Sequence, residues 1–464
     1  MSATQPPLLA GATRKLAEFA AGLRFEDIPT GVVELMKTSL LDSIGCCLFG
    51  ARLPWTKHVR AMVEDEGGTP VASIFGADRK TSVSGAVLVN ATAGHAFELD
   101  DIHKESMFHP GSIAVPVVMA LAESAGGRSG TDVLTAMTAG YEVGTRVGNA
   151  ATLSLFFRGF HPQGTSGSFV AAAAAARMLE LDARRMQHAL GIVGSQASGL
   201  MAAQEGAMVK RFHSGRAAQS GVYSALLARK GFTGIDDVLE AAYGGYLSSY
   251  SETPNAKRLT DGLGEVWEAG RIGYKPHACV TSIHAALDAF ADIMKRHDLS
   301  PNDIARVEVG VSAMTHQHCA WEYKAQGVTA AQMNLYYGIA VMAFDGMAFV
   351  AQYGEERLAE PRLLDFIRRI EAHVDADIEA RGAAFRHAAR VTVTTRDGRT
   401  PSCEILHRRG SPENPLSSHE VEVKFRHVAA SCLSGDGIER VIELVGGFEK
   451  LGSTEELVAL LAAS

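Results

Sequence analysis

The sequence predicts a mainly α fold, with a large all-helical domain and a smaller α+β domain in one chain of 464 residues. Three observations carry this. Apolar residues recur at helical spacing from about Pro7 to Tyr250, alternating valines and a turn dipeptide appear after about Gly270, and helical spacing returns from Pro415. The length exceeds one ordinary core, so two are expected. The helical domain is placed at residues 1–268 together with 410–464, and the α+β domain at 269–409.

The elements follow in order. "IPTGVVELMKTSLLDSIGCCLFG" brings Val32, Leu35, Met36, Leu40, Ile44 and Cys47 onto one helical face, with Pro29 and Thr30 at its start. "SGTDVLTAMTAGYEVGTRVGNA" opens on Ser129 with Asp132 three residues on, close to a capping box. "GSFVAAAAAARMLELD" holds Ala171 to Ala176, a run that favours helix and lets a neighbouring helix approach closely. Its reading is packing. In the smaller domain "ARVEVGVSA" alternates Val307, Val309 and Val311 as a strand, and "RVTVTTRDGRTPSCEIL" reads as two strands joined at Asp397-Gly398. Helical patterns are expected between them, over Ala330–Phe349 and Pro361–Val374. "LSSHEVEVKFRHVAASCL" and "IERVIELVGGFEKL" are helical again, and "RRGSPENP" marks the crossing between domains.

Composition excludes several function classes. Hydrophobic residues make up 47% and charged residues 21%, with a net charge of −8 and no dense Lys/Arg block. Nucleic acid is therefore not an expected partner. No apolar stretch reaches the roughly 18 to 20 residues of a membrane span. The first residues lack the pattern of a secretory leader, and the six cysteines show no CxxC pairing. A cytoplasmic protein with reduced thiols is expected. There is no GxSxG elbow, no phosphate-binding Walker loop and no GxGxxG opening a βαβ unit.

Ionisable chemistry concentrates at a few junctions. Gly94 to Pro116, "GHAFELDDIHKESMFHPGSIAVP", holds three histidines, four carboxylates and a lysine. His95, Asp100, Asp101, His103 and His109 allow three readings: a metal site, proton transfer, or a polar loop whose Asp residues cap helices. The HExxH spacing of a helix-borne zinc site is absent. His109 precedes an apolar helix, where the helix dipole also favours an anion. His161 repeats the arrangement in "GFHPQGTSGSFV", where amides from Thr165 to Ser168 offer a carboxylate site. "MVKRFHSGRAAQSG" clusters Lys210, Arg211, His213 and Arg216, cations suited to a substrate with several carboxylates. "GYKPHACVTSIHAALDAF" adds Lys275 and His277 near the domain boundary, with His284 read as core. In "AAQMNLYYGIA" one of Tyr336 and Tyr337 faces inward.

Together these segments, with "LLDSIGCCLFGA" and "RGSPENPLSSHEVEVKFR", resemble the MmgE/PrpD family, which includes 2-methylcitrate dehydratase, cis-aconitate decarboxylase and iminodisuccinate epimerase. The resemblance implies an α+β lid over a large helical domain, a cleft between them, a homodimer, and catalysis without metal or other cofactor. In the decarboxylases the cleft residues correspond to Glu98, His109, His161, Lys210, Lys275 and Tyr337 here. This chain departs from them in carrying Glu98 in place of Asp, Ile102 in place of Thr, and one extra residue before His109. The dehydratase run Trp-Gly-His-Pro-Ser-Asp-Asn is absent from "MFHPGSIAV".

The implied function is a cofactor-independent lyase acting on a small di- or tricarboxylic acid by proton transfer next to a carboxylate. His109 or His161 would exchange the proton. Lys210 and Lys275 would hold carboxylates, Tyr337 would serve as hydroxyl donor, Asp101 and His103 would orient the cluster, and Glu98 is an alternative acid. Arg211, His277, Gln163 and Thr165 complete the expected substrate-binding set. The alternatives are an epimerase of an imino- or amino-dicarboxylate, and a non-catalytic scaffold that kept the fold.

Overall fold

The computed structural model describes residues 9–462. Pro7, where the helical spacing begins, and the rest of residues 1–8 lie outside the described residues. The fold is mainly α. Helices Thr30–Ala51, Val83–Gly94, Gly111–Ser124, Gly130–Phe157, Gly167–Met178, Ala183–Gly194 and Val209–Arg229 pack into one large apolar core. Side-chain oxygens cap several of them: Ser82 accepts from the Gly85 amide, Ser129 from Asp132, and Asp182 from Arg185. Strand in this part is confined to short ladders, such as Ile102–His103 paired antiparallel with Ile272–Gly273. Among the described residues no helix is long and apolar enough to cross a membrane.

The alanine run does pack as expected. Gly221 of Val209–Arg229 lies so close to Ala171 that an added Cβ would meet its backbone at 2.5 Å. A Cβ at Gly144 would likewise come within 2.1 Å of Val170. Helices Gly130–Phe157, Gly167–Met178 and Val209–Arg229 thus approach through small residues, almost backbone to backbone.

A second core surrounds a four-stranded sheet in the order Ile370–Val374, Ile304–Val311, Ala389–Thr395, Ser402–Ile405. The first pair is parallel and the others antiparallel. Val307, Val309, Val311, Val391 and Val393 turn one face inward against Leu287, Phe290 and Ile293 of helix His284–Arg296. The last two strands form the hairpin expected around Asp397-Gly398, where Gly398 takes φ +92°.

Two local expectations are corrected. Pro361–Val374 is not one helix: the helix stops at Ile367, and Ile370–Val374 is an edge strand in register with Val307–Val311. Pairing with a sheet edge outweighs the local pattern there. Ala330–Phe349 is broken at Asn334, whose side chain accepts from the Tyr337 amide and starts a new helix, Leu335–Asp345. After the sheet the chain returns, and helix Ser418–Ala429 packs on Thr30–Ala51 with Lys424 paired to the buried Asp42.

The close helix approach yields a test. Gly221→Ala is expected to lose about 1–3 kcal/mol by overpacking, read as a lower denaturation midpoint. Gly435→Ala, with no atom within 4 Å of the new methyl, should leave the midpoint within about 0.5 kcal/mol. Equal midpoints for the two variants would refute the tight contact.

Candidate active site

The polar stretch after Val83–Gly94 folds across the mouth of Gly111–Ser124 and divides its charges between two sides. Successive residues of an extended segment point in opposite directions, and Asp100 and Asp101 do so. Asp101 faces the helix start: Oδ1 accepts from the Gly111 amide at 3.0 Å and Oδ2 from the Tyr141 hydroxyl at 2.7 Å. Burial, with Asp42 and Asp100 nearby, pushes its carboxyl up to about 8. Asp100 faces the other way and accepts from His95 Nδ1 at 2.8 Å. Burial opposes its charge, but His109, His95 and Lys275 hold it below the usual aspartate range.

His109 sits between these two. Its Nδ1 lies 2.5 Å from the Asp101 carbonyl and 3.4 Å from Asp100 Oδ1. A carbonyl only accepts, so Nδ1 carries the proton and Nε2 is left as the basic nitrogen. Burial lowers the imidazole to about 3. Its backbone is clamped by Gln163, which accepts from the His109 amide at 2.8 Å and donates to its carbonyl at 3.2 Å. His161 Nδ1 is 2.8 Å from His213 Nδ1, so one of the pair donates to the other. Burial, together with His95 and Lys210, keeps His161 neutral.

Beside these histidines lies a buried ion cluster. Glu98 Oε1 accepts from Lys210 and, at 2.7 Å, from Arg211, and Oε2 accepts from Lys275 at 3.1 Å. Burial would raise the Glu98 carboxyl, but the three cations hold it well below 4.5. Its stabilising contribution is therefore in place above that value and fades only as pH falls through the lowered one. Burial and the neighbouring Arg211 and Lys275 bring the Lys210 ammonium down to about 8. Glu98 adopts φ +54° and Met107 φ +58°, left-handed conformations that side chains rarely take.

These groups open onto a cavity of about 120 Å³, lined by His95, Glu98, Met107, His109, His161 and Lys210 on one side. Thr281, Ser282, His318, Met333, Arg386 and His387 face them from the smaller domain. The cavity has room for several waters. Of the residues expected from sequence, Glu98, His109, His161 and Lys210 meet at this wall. Lys275 and Arg211 stand behind it, bonded to Glu98.

The others lie elsewhere. Tyr337 is buried among Tyr323 and Tyr353, with its hydroxyl donating to the Gln352 carbonyl at 2.6 Å, and does not line the cavity. His277 pairs with Asp288. His103 is held between Ser106 and Glu268. In the turn after His161 three of the four expected amides are spent within the turn itself. Thr165 donates twice to the His161 carbonyl, Gly167 to Pro162, and Ser168 to Thr165. Gln163 positions His109 instead of reaching a ligand.

His95 and His213 carry more of the site than the sequence suggested, while Arg386, His387 and His318 belong to no motif. Among the described residues, His95, Asp100 and His109 bring ligand-capable atoms within 4.8 Å of one another, enough to hold a metal ion. Both Nδ1 atoms of that trio are already committed, to Asp100 and to the Asp101 carbonyl.

Residues 14–258 match the MmgE/PrpD N-terminal domain and residues 277–449 the MmgE/PrpD C-terminal domain. The chain is 32% identical over 474 residues to a cis-aconitate decarboxylase of Aspergillus terreus, covering 97% of this chain and 96% of that one. It is 31% identical over 470 residues to the cis-aconitate decarboxylase-like protein oryM of Aspergillus oryzae, with 97% of each covered. With the cis-aconitate decarboxylase of Homo sapiens it shares 26% identity over 468 residues, 98% of this chain and 95% of that one.

The ion cluster makes its own prediction. Glu98→Gln leaves three buried cations without their shared carboxylate and should cost about 3–5 kcal/mol. Adding Lys275→Met to it should recover part of the loss in a denaturation midpoint. A double variant no more stable than the single would contradict electrostatic coupling.

Proposed function

The chain belongs to the MmgE/PrpD family, and on that premise we propose that it is a cis-aconitate decarboxylase-like lyase needing no cofactor. The observation that carries the reading is the meeting of His109, His161 and Lys210 at one cavity backed by more buried cations than carboxylates. Such a wall suits a substrate that brings several carboxylates of its own.

The chemistry follows. In cis-aconitate the pair of the breaking C–CO₂ bond becomes a new C=C bond. The original double bond shifts its electrons onto the carbon next to a retained carboxylate, and that carbon takes a proton. Lys210, with Arg211 and Lys275 behind it, offsets the developing negative charge. The histidines are neutral in the empty cavity, but three incoming carboxylates raise their affinity for a proton. One of them is then the acid that delivers it. His109 has Nε2 available for this, and His161 is linked through the partly exposed His213 toward solvent. Asp101 and Gln163 fix the position of His109.

Four outcomes are expected. Proton NMR in D₂O should show purified enzyme converting cis-aconitate to a dicarboxylate with one deuterium at the protonated carbon. Dehydration of 2-methylcitrate, or inversion of iminodisuccinate without loss of CO₂, would replace the reading. His109→Ala and His161→Ala should each lower kcat/KM by at least about 100-fold while leaving the fold intact, and wild-type activity in either removes that residue from the mechanism. The kcat/KM should fall as pH rises through about 8, where Lys210 loses its proton, and Lys210→Arg should move that limb to higher pH. Dialysis against a chelator should leave turnover unchanged. Loss on chelation with recovery on adding metal would instead assign an ion to His95, Asp100 and His109.

A further inference from the structure

The cavity has a second polar end, formed by Arg386, His387 and His318 with Lys104 beside them; burial keeps the two imidazoles neutral, so Arg386 and Lys104 carry the charge. Arg386 is only 6% exposed. Its NH1 donates to the Ala383 carbonyl at 3.1 Å and its NH2 to the Lys104 carbonyl, which fixes the guanidinium plane. Its Nε is buried without a partner. His387 Nδ1 and His318 Nε2, also lining the cavity, are buried and unpartnered as well. Three buried polar atoms without partners, on residues that line one cavity, are costly unless a ligand satisfies them.

The charge is as unbalanced as the hydrogen bonding. The carboxylate nearest Arg386 is Glu105, 3.9 Å away, half-exposed and shared with Arg258. Lys104 spends its ammonium on the Ala384 carbonyl. Arg408 is buried nearby, with the Asp288 and Glu413 carboxylates in its surroundings. A buried guanidinium whose one nearby carboxylate is half-exposed and shared marks a place where an anion completes the site.

Resting on the decarboxylase reading, we propose that this end of the cavity is a carboxylate subsite of the smaller domain. Arg386 Nε–H donates to one of the two carboxylates that the reaction retains, and His387 and His318 complete its hydrogen bonding. The subsite selects a tricarboxylate over a dicarboxylate, because only the former engages both ends of the cavity while still presenting a carboxylate to be lost.

Unreactive ligands test this apart from turnover. Tricarballylate is a saturated tricarboxylate, glutarate is the same chain without the central carboxylate, and methylsuccinate lacks a terminal one. Calorimetric titration of the full chain should show tricarballylate binding more tightly than either dicarboxylate. In Arg386→Gln the tricarballylate affinity should drop roughly 10- to 100-fold, the scale of one charge-assisted hydrogen bond, while the weaker dicarboxylate changes less than about threefold. Arg386 also holds two backbone carbonyls, so His387→Leu is the second variant. It leaves those bonds in place and should cost roughly three- to tenfold for tricarballylate.

A wild type that does not distinguish the ligands overturns the subsite. So do equal losses for tri- and dicarboxylates, or no loss in either variant. None of these ligands loses CO₂, so failure to turn over cis-aconitate would defeat the decarboxylase reading and leave this result standing.

Discussion

The Glu98 carboxylate is the constraint on which the site depends. It is buried, it sits on a residue with φ +54°, and it holds Lys210, Arg211 and Lys275. Those cations come from the helix Val209–Arg229 and from the segment that leads into the smaller domain. Each charge pays a large desolvation cost that the mutual attraction must offset. The arrangement persists because the carboxylate is shared three ways. Three cations against Glu98 and the neighbouring Asp100 leave the wall with a positive balance, which a single ion pair would not do. Glu98 thereby fixes the geometry and sets the sign of the field in the cavity.

Around that cluster the histidines are positioned by groups that do not face the cavity. Asp101 is spent on the start of the helix Gly111–Ser124 and on Tyr141, and only its carbonyl reaches His109. Gln163 grips the backbone of His109 from both sides. A proton-transfer group needs its ring orientation held and its tautomer defined. For His109 both come from a backbone carbonyl and an amide side chain, which do not titrate, whereas His161 is oriented by the His213 imidazole.

Much of the fold was legible because its signals are local. The cap at Ser129, the alternation of Val307, Val309 and Val311, and the Asp397-Gly398 turn are each decided within a few residues. Ile370–Val374 was not, because its strand character comes from pairing with a segment more than sixty residues earlier. The site divides the same way. His109, His161 and Lys210 announce themselves by standing at helix junctions among apolar residues. Tyr337 looked equivalent, yet its ring belongs to an aromatic cluster with Tyr323 and Tyr353. Arg386, His387 and His318 carry no motif, since an isolated arginine or histidine gains meaning only from the surface it shares with distant residues. The alanine run tells a further lesson: composition alone foretold the close contact that Gly221 makes with it.

The return of the chain onto its beginning bears on how the molecule is made. Lys424 pairs with the buried Asp42 and also donates to the Leu99 carbonyl, at the edge of the polar stretch that forms the cavity wall. During synthesis the first helices emerge from the ribosome long before residue 424 is added. Until then Asp42 stands in an apolar core without its cation, and the wall has lost one of its braces. The helical part therefore lacks these contacts while the entire sheet-bearing segment is translated. Vectorial synthesis thus couples completion of the cavity to the arrival of a helix that contributes no residue to its lining.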